Sequence, residues 1–352
     1  MTTDENGSGD SIASDRRGFM KVASLGAAAA AGVAGKFSLA PISSAAAQES
    51  TTEAWWPSKW GAEDQAGASN HITPDKVLDA VQLVQDGRVY KLGRMYQAGM
   101  PFFGTRTFAM LIPGAPTGGP FGANKLIYND EFLATEIGQV GTQFDGLGHI
   151  GLQLGADGDK REMRYYNGFT ELEVGNATGL MKLGTEHLKP IVTRAHLIDA
   201  MAVNGEMMDV GQEITLDTLR AALDGQGMSE DDFRPGDGIL FHTGWGRLWM
   251  ENNDRYNSGC PGIGMEVAEW IVEKDLCFAG SDTWPVEVIP NPDPEVAFPV
   301  HGHLLTKHGI FLHENLFFDE LLADGKYQFL FIFTPLPIKG ATGSPGCPIA
   351  IT

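Results

Sequence analysis

Four glycines fall within eleven residues in the run Gly141-Thr-Gln-Phe-Asp145-Gly-Leu-Gly-His149-Ile-Gly151. Glycine lets the backbone turn tightly and is costly inside regular elements, so the chain must bend here. Gly146, Gly148 and Gly151 formally match G-x-G-x-x-G. A dinucleotide fingerprint needs a strand before that motif and a helix after it. Residues 153–160 hold two glycines and two aspartates, a poor helix start, and His149 inside the run would crowd a pyrophosphate. The nucleotide reading is set aside. What remains is a carboxylate and an imidazole, Asp145 and His149, four positions apart. Such a pair suits one metal-centred pocket; the plainer alternative is a pair that steadies a turn.

A second cluster lies late in the chain, at His301-Gly-His303-Leu-Leu-Thr-Lys-His308-Gly-Ile-Phe-Leu-His313-Glu314, with four of the nine histidines. His301 and His303 would face one way on a strand and apart on a helix. Glu314 precedes an apolar amphipathic stretch, where a carboxylate favours a helix N-terminus. Imidazole combined with carboxylates suits zinc, manganese or ferrous iron better than calcium or magnesium. The chain contains no G-x-S-x-G elbow and no G-K-[ST] phosphate loop. A hydrolytic function therefore calls for metal-activated water rather than a serine nucleophile.

Between these clusters, strands and helices mix without a regular βαβ rhythm. Thr73-Pro74 opens a helix expected to end at Gly87, Thr215 caps one ending near Gly225, and residues 265–274 form a third. Strands are expected at 89–92, 191–198, 238–243, 276–279 and 327–334, and a helix at 315–323. Residues 107–112 and 125–134 read as extended segments around a Gly/Pro-rich loop at 113–122. Charge adds an exclusion. The formal net charge is −20, and residues 1–47 balance four acidic against four basic groups, so the excess belongs to residues 48–352. Such a surface repels nucleic acid and anionic lipid. Cys260, Cys277 and Cys347 are odd in number and not at zinc-ligand spacing, so neither a disulfide framework nor a thiolate metal site is expected.

Residues 14–21 read Ser-Asp-Arg-Arg-Gly-Phe-Met-Lys, then an alanine-rich apolar stretch and Ala45-Ala46-Ala47 before Gln48. Paired arginines with Phe and Lys just after them resemble a twin-arginine signal. The expectation is a signal peptide at 1–47, export through the twin-arginine machinery and a periplasmic or secreted domain at 48–352. The apolar stretch is too short and Gly-interrupted for a stable membrane span.

Taken together, the motifs resemble the cyclase family, whose kynurenine formamidases and isatin hydrolases carry a segment of the form H-x-G-T-H-x-D-x-P-x-H. Here the matching stretch is Gln139-Val-Gly141-Thr142-Gln143-Phe-Asp145-Gly-Leu-Gly-His149. Further matches are Trp60-Gly61 with Asp64, Gly67 and Asn70; Asp237 to Trp245; Asp282-Thr-Trp284 with Glu287 and Pro290; Glu314-Asn-Leu316; and Thr334 to Pro337 with Gly343-Ser-Pro345. The resemblance implies a single α/β domain with a β-barrel-like core flanked by helices. It also implies one divalent metal, zinc or manganese, on Asp145, His301 and Glu314, with His149 moving protons. Gln139 and Gln143 replace two histidine ligands of the motif, and Gly148 replaces its proline; both glutamines stay candidate ligands. The expected reaction opens an amide, lactam or lactone of a small carbonyl compound, with Trp55, Trp56, Phe102 and Phe103 lining the substrate pocket. A metal-dependent lyase, dehydratase or cyclase is the first alternative. A binding protein that kept the fold without turnover is the second. A homo-oligomer is also implied by the resemblance.

Overall fold

Nine strands form one mixed sheet in a computed structural model that describes residues 54–352. The expected signal peptide lies outside the described residues. In chain order the strands are β1 (Val89–Lys91), β2 (Gln143–Asp145), β3 (Ile191–Asp199), β4 (Gly238–His242), β5 (Phe278–Ser281), β6 (Phe311–Glu314), β7 (Gln328–Phe333), β8 (Gly343–Pro345) and β9 (Ile349–Ile351). Their spatial order is β1-β9-β7-β3-β4-β5-β6-β2-β8, curled into a half-barrel. β3 to β6 run parallel, and the pairings on either side are antiparallel. Every residue of β4, β5 and β6 is buried. That is the expected pattern for parallel strands covered on both faces.

Helices cover the sheet: α1 (Pro74–Val81), α2 (Leu216–Gly225) and α3 (Met265–Glu273). The side chain of Thr73 accepts the Lys76 amide at 3.3 Å, and that of Thr215 accepts the Thr218 amide at 3.2 Å. These satisfy amides that a helix start leaves orphaned. α1 stops at Val81 rather than near Gly87, because the Asp86 and Gly87 amides bond the Thr352 carbonyl at 3.2 and 2.7 Å. A tertiary bond to the chain end thus replaces further helical turns. The helix expected at 315–323 is shorter, Asp319–Ala323, and Glu314 ends strand β6 instead of opening it.

The segment 107–135 leaves the main sheet as an arm of two small hairpin sheets. Phe108–Leu111 pairs with Phe132–Thr135, and Gly118–Phe121 pairs with Leu126–Tyr128. Gly118–Phe121 is thus strand where a loop was expected. Among the described residues no helix is long and apolar enough to cross a membrane. Cys260, Cys277 and Cys347 are all free thiols, the first two buried.

Candidate metal centre

Strands β2 and β6 set out the site by their register. They pair antiparallel, with Glu314 opposite Gln143, His313 opposite Phe144 and Leu312 opposite Asp145. Side chains alternate along a strand, so Gln143, Asp145 and Glu314 share one face. Phe144 and His313 share the other, 4.9 Å apart between ring centroids. On that second face His313 is fully buried, with Phe333 at 4.5 Å and Phe331 at 5.6 Å. Burial pushes its imidazole down to about 3, so it stays neutral. His313 therefore belongs to the core, and Glu314 next to it belongs to the site.

The four glycines of 141–151 serve this geometry differently from the expectation that all of them make turns. Only Gly141 has a positive φ, +62°. A Cβ at Gly148 would lie 2.3 Å from Leu180 Cδ1, and one at Gly146 would lie 2.8 Å from the Thr342 carbonyl. Close approach of backbone requires the glycine at 146, whereas at 148 a side chain would need Leu180 to move.

The third group comes from the short helix Pro299–His301. Glu287, fully buried, orients it. Its carboxylate accepts the His301 amide at 3.0 Å and the Val300 amide at 3.2 Å, and it also pairs with His301 Nδ1. That partnership leaves His301 Nε2 aimed at Glu314 Oε1, 3.3 Å away, and Asp145 Oδ2, 3.6 Å away. The ligand atoms of Asp145, His301 and Glu314 all lie within 4.8 Å of one another.

The charges are strained in a way that asks for a cation. Burial raises the Glu314 carboxyl, and the Asp145 charge beside it adds to this, pushing it up to about 8. Burial would also raise Asp145, but His149 and His301 outweigh it and hold this carboxyl below the usual range. Burial disfavours charge on His301, yet the adjacent carboxylates of Asp145, Glu287 and Glu314 push it well above the usual imidazole value. Asp145 Oδ2 is buried with no hydrogen-bond partner. An orphaned carboxylate oxygen facing an imidazole nitrogen and a second carboxylate fits a metal cation.

His149 borders the same cavity, its Nε2 3.9 Å from Asp145 Oδ2. Burial lowers its pKa, with the Asp145 charge acting against this, so the ring is neutral and able to accept a proton. Neither glutamine presents as a ligand. Gln143 Nε2 donates to Glu314 Oε2 at 2.6 Å, and Gln139 Nε2 donates to Asp145 Oδ1 at 3.4 Å. Their amides instead occupy carboxylate lone pairs that a second ion would need.

The cavity over these groups is about 150 Å³. Phe103 and Trp284 stack over it at 4.7 Å, and Phe298 meets both edge-on. Phe102 lies in an adjoining recess with Phe103 and Trp284. Two of the four aromatics expected here are elsewhere. Trp55 lines a separate hollow with Trp60 and His308, and Trp56 packs against Trp55 and Gly168. Neither lines the cavity over Asp145 and Glu314. The structure adds Arg106, which lines the cavity with its guanidinium 5.6 Å from the Phe103 ring and 3.5 Å from Gln139 Oε1. It also adds Glu287. A lone arginine in a glycine-rich loop carries no spacing signal, and Glu287 stood out only as part of a motif, without a role.

Comparison with known proteins places this geometry among others. Residues 61–288 match the Cyclase family model. A crystal structure described as a novel cyclase is 30% identical, with a TM-score of 0.71, over 84% of this chain and 98% of that one. Isatin hydrolase A from Labrenzia aggregata, bound to benzyl benzoate, is 19% identical, with a TM-score of 0.54, over 75% of this chain and 93% of that one. Isatin hydrolase A from Ralstonia solanacearum is 20% identical, with the same TM-score, over 80% and 98%. At such identities the two hydrolases are likenesses of fold. A search of curated proteins found no match.

Proposed function

Because the chain belongs to the Cyclase family, we propose that it is a metal-dependent hydrolase that opens an amide, lactam or lactone bond in a small carbonyl compound. The observation that carries the reading is the buried meeting of Asp145, His301 and Glu314 around an unpartnered Asp145 oxygen. These three would hold one divalent ion, zinc or manganese, with Glu287 fixing the His301 ring as outer partners of metal-bound histidines commonly do. When bound, such an ion supplies a Lewis acid and lowers the pKa of water toward about 7.

The chain's own groups account for the rest. His149, neutral and facing the cavity, takes the proton of the attacking water at Nε2 and returns it to the departing nitrogen or oxygen. Arg106 offers a fixed positive charge to the oxygen that becomes negative as the carbonyl is attacked. Phe103, Trp284 and Phe298 cover the cavity with ring faces and edges, which favours a flat apolar substrate and excludes bulk water. Gln139 and Gln143 neutralise carboxylate lone pairs by hydrogen bonding and so favour one ion over two. The isatin hydrolases of the same fold support hydrolysis and make isatin the first compound to try. Export by the twin-arginine route to the periplasm or beyond is part of the same proposal and rests on residues 14–47.

The test is turnover of isatin and of an amide and lactone panel in isotopically labelled water. Hydrolysis places the label in the product carboxylate, and His149→Asn lowers kcat by about 100-fold or more while keeping the metal. Product without label would point to a lyase or cyclase reaction instead. Bound metal with no turnover on any compound would leave a binding protein.

A further inference from the structure

Several residues that stand out in the sequence have no part in the metal centre: Trp55, Trp60, and His303 and His308 of the histidine cluster. Three of these four meet in one hollow of about 290 Å³, lined by Trp55, Trp60, Tyr166, Lys307 and His308 among others. No residue that lines it also lines the cavity over Asp145 and Glu314.

The walls are held in place by contacts of their own. Tyr166 is buried, and its hydroxyl donates to Asp64 Oδ2 at 2.7 Å. Gly309, with φ +65°, passes so near that ring that a Cβ there would lie 2.4 Å from it, and its carbonyl accepts the Ala68 amide at 2.8 Å. The rings of His303 and His308 pack 4.7 Å apart. The run Gly302–Lys307 that leads to the hollow is a turn of π-helix, a rare conformation that is frequent at functional sites.

The chemistry of the lining is unbalanced. Lys59 pairs with Asp275, so these two charges offset each other. Burial pushes the His308 imidazole down to about 4, so it is neutral. Lys307 makes no ion pair or side-chain hydrogen bond among the described residues, and its ammonium lies 5.7 Å from the centre of the Trp55 ring. A half-buried lysine without a carboxylate partner, in a chain of net charge −20, is an anchor for an anion. The indole N–H of Trp55 is also buried without a partner, where such groups normally have one. A cavity of about 150 Å³ admits a benzene ring, so this one has room for one or two rings and a carboxylate. Indole and phenol walls suit a flat ring. A single ammonium matches a single carboxylate, whereas phosphate calls for several or forked donors.

We infer that this hollow is a second ligand site, which takes a small planar aromatic carboxylate, its ring among Trp55, Trp60 and Tyr166 and its charge on Lys307. The chain ties the site to the metal centre. Residues 302–313 join two of the proposed ligands, His301 and Glu314, and Lys307, His308 and Ile310 lie within that span. An occupant that holds the middle of the span steadies the turn at His301. Opening an aromatic lactam or lactone releases a carboxylate on a flat ring, so the hollow would sense the reaction's own class of product. That last link rests on the function proposed above; binding itself does not.

The experiment is calorimetric titration of the purified protein with 2-naphthoate and with its uncharged analogue 2-naphthamide. Lys307→Gln and Arg106→Gln are titrated beside the parent, with circular dichroism to check folding. Hydrogen exchange is followed at 299–306 with and without the acid. The parent is expected to bind 2-naphthoate with a dissociation constant of about 0.1 mM or tighter. The amide, and the acid on Lys307→Gln, are expected to bind about tenfold more weakly or worse, with Arg106→Gln unchanged. Bound acid is expected to slow exchange at 299–306 roughly fivefold. A parent that does not bind the acid at about 1 mM overturns the site. Equal affinity for the amide, or unchanged binding by Lys307→Gln, overturns the carboxylate anchor. Binding lost in Arg106→Gln and kept in Lys307→Gln puts the acid over Asp145 and overturns the site as well. Binding with unchanged exchange overturns the tie to His301. Calorimetry needs neither metal nor turnover, so failure of the hydrolase reading leaves the binding result intact.

Discussion

At the residue scale, the site is four side chains whose partners decide their roles. His301 has two ring nitrogens, and Glu287 claims one so that the other faces Asp145 and Glu314. Removing the Glu287 charge while keeping its shape should loosen that orientation. Glu287→Gln is expected to weaken metal affinity about 10–100-fold, as loss of an outer partner typically does. A competitive chelator titration measures it, and unchanged affinity would assign Glu287 to packing alone. The sequence made Asp145, His149, His301 and Glu314 visible because carboxylates and imidazoles cluster within two short runs. Arg106 was not visible, since its place comes from the arm folding back beside residue 139, a contact no local pattern encodes. Trp55 and Trp56 erred in the other direction: aromatic character marks burial anywhere and gives no address.

At the element scale, register does the placing. A one-residue slip of β2 against β6 would bring Phe144 to the site and turn Gln143 and Asp145 toward the phenylalanines, while Glu314 kept its place. Strand β6 was not read from the sequence because Phe-Leu-His-Glu has no clean alternation when both faces are buried. Strands β3 and β7, longer and richer in apolar residues, were legible almost to their ends. A second buried polar group joins α1, β3 and β4. His196 Nε2 lies 3.0 Å from Asp237 Oδ2, and Lys76 pairs with the other Asp237 oxygen. Burial lowers the His196 pKa from 6.5. Burial alone would raise Asp237, but the His196 bond and the Lys76 charge hold it below 3.8. Both groups bind protons less readily when folded than when unfolded. Their contribution is therefore present above the unfolded values and fades as pH falls, first below 6.5 through His196 and then below 3.8 through Asp237. The share due to this pair, read as the difference in urea midpoint between the parent and a His196→Gln variant, should be flat from pH 8 to 7 and decline on acidification. Asp237→Asn should cost about 3 kcal/mol at pH 7, since Lys76 is left buried and unpaired. A difference that grows on acidification would contradict this sign.

At the scale of the whole molecule, a curled mixed sheet uses its parallel centre for stability and its antiparallel margin for chemistry. Chain-wide motifs made the fold class legible before any coordinates. The curl was legible only through the resemblance, which implied a β-barrel-like core; the strand pairings behind it were not, because they join segments far apart in sequence, such as β1 with β9. The net charge of −20 is consistent with the site, because an acidic protein with a buried carboxylate pair favours a divalent cation over an anionic ligand at that point. The proposed chemistry stands on Asp145, His301 and Glu314 together holding one such ion. Elemental analysis of the purified protein beside its Asp145→Ala variant decides whether they do. About one zinc or manganese per chain is expected in the parent and none in the variant. Two ions per chain would mean that Gln139 and Gln143 turn their amide oxygens inward as ligands. A parent that binds no divalent metal even after reloading would contradict the metal site outright.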